Sequence, residues 1–217
     1  MQKYRRILYF TLAAAMILFG AGLPYAVAES ARAVIAYEEG RVVLEGDGAV
    51  VEGTIATITS PGIYRLTGAC DQGQLVVDCD GEVTLLLENL SLTSADGPAI
   101  DIREAEKVTL LLPEGTRSTL TDAAVYAGAA SGGDAAVFSK ADLVIGGEGA
   151  LTVNGRYNDG IASRDTLLIE GGSIAVNAKN HGVKGKDYLI IRDGSLEVVA
   201  GGDALKATNA EQPALGY

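Results

Sequence analysis

Apolar and polar residues alternate in short runs along most of this chain, and the runs recur at a nearly fixed distance. From Asp134 the sequence reads DAAVFSKADLVI, from Asn158 NDGIASRDTLLI, from Asn180 NHGVKGKDYLII, and from Gly202 GDALKATN. Val137, Ile161, Val183 and Leu205 hold equivalent places, 24, 22 and 22 residues apart. Leu143, Leu167 and Leu189 form a second column. After each comes a Gly-rich turn and a further alternating run: LTVN from Leu151, SIAVNA from Ser173, SLEVVA from Ser195. A period of two marks half-buried β-strands, and no stretch keeps a helical period over three turns. Three short strand patterns per repeat of about 22 residues predict an all-β chain. The expected form is a right-handed parallel β-helix (a β-solenoid), C-terminally incomplete.

Upstream the same spacing continues, with Val83 and Val108 25 residues apart. QLVVD (Gln74 to Asp78), VTLLLEN (Val83 to Asn89) and LSLTS read as three separate strands bounded by Gly, Asn or Asp. Residues 29–59 alternate only weakly and are expected to cap the N-terminal end of the stack. Residues 60–217, opening at the turn Ser60-Pro61-Gly62, form the repeat domain. Between Leu120 and Gly133 the residues are small and polar. They predict a loop leaving the stack with Tyr126 at its tip, either a binding-face insertion or an excursion without a role. After Asn209 the sequence reads AEQPALGY, which does not supply the next two strands of a repeat, so the chain reads as a fragment of a longer protein.

Residues 1–28 change the picture of where the protein works. Lys3, Arg5 and Arg6 precede an apolar run from Ile7 to Leu23, and Ala26-Val27-Ala28 is an A-x-A cleavage site. That is the pattern of a secretory signal peptide, the alternative being a retained membrane anchor. No other stretch is apolar enough to span a membrane. The full chain carries a net charge of −11, and loss of the leader's three cations leaves −14. An exported domain of that charge excludes nucleic acid as a natural partner and is repelled by acidic polymers unless cations intervene. Cys70 and Cys79 flank the turn from Asp71 to Gln74 and are either a disulfide or two buried thiols.

Stacked parallel strands turn sequence columns into spatial rows about 4.8 Å apart. Three positions after each core Val, Ile or Leu stand Arg103, Lys140, Arg164, Lys186 and Thr208; four positions after stand Glu104, Ala141, Asp165, Asp187 and Asn209. A basic row therefore runs beside an acidic one, and like charges in a row need compensation. A further column holds Asp159, His181 and Asp203, with Asn158 and Asn180 beside it. Hard oxygen donors of this kind suit Ca²⁺, so Asn158, Asp159, Asp165, Asn180, Asp187 and Asp203 are the candidate metal ligands. Asn and Asp at tight turns equally serve the backbone, which is the competing reading. Arg164, Lys184, Lys186 and Lys206 could pair with sugar carboxylates, and Tyr157 offers a face for a sugar ring. Without the leader there is no Trp and a single Phe, Phe138, so a broad aromatic platform for crystalline cellulose is excluded.

The run from Asn154 to Asn209, with its elements YNDGI, NHGVKGKD and GGDALKATN, resembles a family of exported bacterial carbohydrate-binding β-helix proteins with a pectate-lyase-like fold. SPGIYRLTGACDQGQLVVD and LENLSLTSADGPAIDI resemble that family's opening repeats, so the resemblance covers Thr57 onward. It implies binding of plant cell-wall or other acidic or cellulosic polysaccharide, with calcium on the protein. His181 and Ala204 depart from the Asp and Gly more usual at those places. Three functions follow as expectations. One is a secreted or cell-surface polysaccharide-binding module bridged by Ca²⁺. Another is a calcium-dependent pectate-type lyase with Lys184 as base. The third is a structural surface protein or adhesin.

Overall fold

The computed structural model describes residues 30–127 and 132–209. The expected leader and its cleavage site, and the residues from Ala210 on, lie outside them. Among the described residues there are twenty strands and no helix. The first are β1 (Ala33–Glu38), β2 (Arg41–Gly46), β3 (Ala49–Glu52), β4 (Ile55–Ile58), β5 (Gly62–Cys70) and β6 (Gln74–Asp78). The long β7 (Glu82–Thr93) precedes β8 (Ile100–Glu104), β9 (Lys107–Leu112) and β10 (Arg117–Thr121). Then come β11 (Ala135–Ser139), β12 (Asp142–Gly147), β13 (Ala150–Gly155), β14 (Asp159–Ser163), β15 (Thr166–Ile169) and β16 (Ser173–Ala178). The last are β17 (Val183–Gly185), β18 (Tyr188–Ile191), β19 (Ser195–Ala200) and β20 (Leu205–Ala207).

These strands correct the expected fold class. In place of a right-handed parallel β-helix built of separate three-strand coils, the chain forms two sheets. One has twelve strands, with β18-β15-β12-β9-β7-β10-β13-β16-β19 as its main path; the other has eight, in the order β20-β17-β14-β11-β8-β6-β4-β3. Both are mixed, because β1 pairs antiparallel with β2 and β3 with β4. The reason lies in β7. VTLLLEN and LSLTS are one strand, which pairs with β9 through Glu82–Leu86 and with β10 through Ser91–Thr93. Asn89 turns the corner at φ 56°, a left-handed conformation that Asn tolerates better than most residues. Where the ladder lapses there, Arg117 N–H donates to Asn89 Oδ1 at 3.0 Å and Leu90 N–H to Ser118 Oγ at 3.1 Å. Two arms are thus fused into one curved sheet.

Within this frame the columns read from the sequence are real neighbours. Val137 pairs with Ile161, Ile161 with Val183 and Val183 with Leu205; Leu143 pairs with Leu167 and Leu167 with Leu189. Val137, Ile161, Val183, Leu143 and Leu167 are completely buried between the two sheets, whereas Leu205 at the far end is 47% exposed. Each such burial is worth about 1.5–3 kcal/mol. Gly160 and Gly182 bring the eight-stranded sheet close to β16 and β19: a Cβ at either would collide with Val176 or Val198. Both cysteines are buried free thiols.

Candidate functional site

Most of the candidate residues lie on strands of the eight-stranded sheet or in the turns that flank them. Ladder hydrogen bonds fix the basic row: Lys140 N–H donates to Ile102 O, Arg164 N–H to Ser139 O and Lys186 N–H to Ser163 O. Arg103, at its start, gives Nε–H to Asp101 Oδ2 at 2.9 Å. Arg164 lies over the Phe138 ring, 5.5 Å from its centroid, and shields an aromatic side chain that is only 1% exposed. Lys140 and Arg164 are exposed and form no ion pair among the described residues.

Beside this row the expected metal ligands are engaged with protein donors. Asp159 opens β14 with 0% exposure. Its Oδ1 accepts from Asn180 Nδ2 at 3.1 Å and His181 N–H at 3.0 Å, and its Oδ2 meets Lys184 Nζ at 3.2 Å. Asn158 Nδ2 donates to Asp134 Oδ2 at 2.9 Å, one repeat below. Carboxylates only accept, so both asparagines present N–H to them and serve as donors. Lys206 Nζ stands 2.9 Å from His181 Nε2 and 3.1 Å from Asp203 Oδ2. The other ring nitrogen, Nδ1, accepts Asp203 N–H at 3.0 Å and lies 3.4 Å from Asp203 Oδ2. Asp187 Oδ1 accepts from Asn209 Nδ2 at 2.6 Å. Asp165 keeps its proton to higher pH than an ordinary carboxylate, first through burial and then through the charges of Asp142 and Asp187.

Calcium takes roughly six to eight oxygen ligands. Among the described residues no three His, Cys, Asp or Glu side chains form a group able to hold a metal ion. Both oxygens of Asp159 already face nitrogen donors, and Asp203 Oδ2 faces Lys206 and His181. These residues do not fit a calcium ion.

Tyr157 brings in Tyr126, expected at a loop tip, and Asp122, which the sequence did not single out. Its ring stacks on Tyr126 with centroids 4.0 Å apart and planes 15° from parallel. Tyr126 therefore does not stand at the tip of an outward loop. Its hydroxyl donates to Asp122 Oδ2 at 2.9 Å and lies 3.1 Å from Ala135 O. Asp122, completely buried, also accepts Arg156 N–H at 2.6 Å and Tyr157 N–H at 3.3 Å. Burial raises the pKa of Asp122 against these hydrogen bonds, and burial with the Asp122 charge pushes the Tyr126 phenol up strongly. One acid thus moors the loop from Asp122 to Ala127 against the turn before β14. Next to the stack an open cleft of about 510 Å³ is lined by Asp134, Tyr157, Asn158, Lys179 and Asn180. The only sequence signal for Asp122 and Tyr126 was the loop's length.

Known proteins resemble this chain in sequence and fold. Residues 52–217 match the model of a family described as carbohydrate-binding domain-containing protein. A protein of that description from Acetivibrio thermocellus is 36% identical over 137 residues, 61% of this chain and 48% of the relative. The match thus spans about half of the relative's length. A solved structure, the polysaccharide lyase-like protein from C. thermocellum in a gadolinium derivative, is 36% identical with a TM-score of 0.81. That likeness covers 86% of this chain and 77% of the other.

Proposed function

The chain belongs to the family of carbohydrate-binding domain-containing proteins, and from that premise we propose that it holds an acidic polysaccharide outside the cell. The contact surface is the basic row along the edge where β11, β14 and β17 of the eight-stranded sheet end. The observation that carries this reading is the exposed pair Lys140 and Arg164, lifted out of a strongly acidic chain and set in the bends that follow the neighbouring strands β11 and β14. Parallel strands put such residues about 4.8 Å apart, a spacing at which two cations can grip one carboxylated sugar. The Tyr126–Tyr157 stack and the adjoining cleft offer an apolar face and amide groups for a neighbouring ring. Lys186 extends the row, and Lys184 and Lys206 pair with each other on β17 and β20.

Binding is supported better than elimination. A lyase base needs an amine free to reach the substrate, and the Lys184 ammonium is tied to Asp159 at 3.2 Å. Titration calorimetry with polygalacturonate tests the reading: wild type binds, and Arg164→Ala weakens binding about tenfold, as the loss of one charge-assisted contact should. Equal affinity of wild type, Lys140→Ala and Arg164→Ala would remove the basic row from the interface. Growth of ultraviolet absorbance from an unsaturated product would establish lyase chemistry instead.

A further inference from the structure

We propose that Lys184 and Lys206 are the resident cations of the eight-stranded sheet, standing where a divalent ion would otherwise neutralise Asp159 and Asp203, so that the protein works without calcium. The pairing steps from one repeat to the next. Lys184 on β17 reaches back to Asp159 on β14, and Lys206 on β20 reaches back to His181 while meeting Asp203 at 3.1 Å. Two carboxylates and two ammoniums cancel, with the imidazole of His181 between them. A divalent ion added to this set would leave two positive charges uncompensated, one of them beside a carboxylate with no solvent exposure. Each Asp159 oxygen already meets at least one nitrogen donor, so an ion could bind only by displacing the ammonium. Its consequence for ligand binding rests on the glycan reading above; the charge pairing stands on distances alone.

The test uses the full chain and a demanding probe, Tb³⁺, a hard trivalent lanthanide like the gadolinium carried by the solved neighbour. Wild type should give no saturable terbium luminescence and the same melting temperature in millimolar Ca²⁺ as in EDTA. A bound ion at about a hundred times its Kd would raise that temperature by several degrees. Lys184→Met should lower the melting temperature sharply, and adding Asp159→Asn to it should restore most of the loss by removing the stranded charge. If Lys184→Met fails to fold while the double variant folds, the same conclusion holds. A saturable Tb³⁺ signal that Ca²⁺ competes, a wild type stabilised by Ca²⁺, or a Lys184→Met protein as stable as wild type overturns the proposal. Polygalacturonate binding that survives EDTA supports it, and binding seen only with Ca²⁺ overturns it. Absence of binding with and without Ca²⁺ defeats the glycan reading and leaves the melting comparison to decide this one.

Discussion

Asp159 and Asp203 stand in one column of the repeat, Asp165 and Asp187 in another six positions further along it, and the two columns resolve the same electrostatic problem differently. Repetition along a parallel sheet sets like side chains one above another, so any acid that recurs meets its own kind. In the first column lysines from later strands supply the missing charge at 3.2 and 3.1 Å. In the second, Asp187 finds the amide of Asn209, while Asp165, partly buried and flanked by Asp142 and Asp187, holds its proton more tightly. One column is neutralised by lysines of the chain itself, while in the other Asp165 holds its proton to higher pH than an ordinary carboxylate. The second should respond to pH just above the ordinary carboxylate range.

The largest effect should come from breaking the first solution. Lys184→Met leaves a fully buried carboxylate unpaired and should cost about 3–5 kcal/mol, read by chemical denaturation. Tyr126→Phe removes the hydroxyl that holds Asp122 and should cost about 1–3 kcal/mol, because a buried acceptor loses a donor. Its effect on the charge columns should be nil, which makes it a control for general loosening. In the second column Asp165→Asn relieves repulsion and should raise stability at neutral pH by a few tenths of a kcal/mol. The smallest signal is the pH slope. A carboxyl whose folded pKa is raised contributes stability that is fully present below its unfolded pKa and is lost as pH rises through the folded value. Asp165 and Asp122 both act in this sense. Stability should therefore carry a component falling with pH just above the ordinary carboxylate range, and Asp165→Asn should flatten it.

The columns themselves were legible because burial alternates with a period of two and the spacing repeats. Val137, Ile161 and Val183 needed no more than that to be placed together. The joining of the two arms was not legible. Asn89 looks like a strand end in sequence, and only its left-handed φ with the side-chain bond to Arg117 lets β7 continue round the corner. The lysine pairs were hidden for another reason. Asp159 and Lys184 lie 25 residues apart, off the 22-residue column, so the contact runs diagonally between neighbouring strands. Tyr126 was hidden by its position in an apparently plain loop, since nothing local predicts that it folds back onto Tyr157.

Because β7 belongs to both arms, neither ladder can be released in the middle without disturbing the other. Amide protons along β7 should exchange with solvent only through global opening. Fraying belongs at the opposite extreme, in β18 to β20, where Ile190, Ile191, Val199 and Leu205 remain partly in water. A gradient of exchange from that end towards the shared strand would show the molecule melting in one direction, like a zip whose slider is the bend at Asn89.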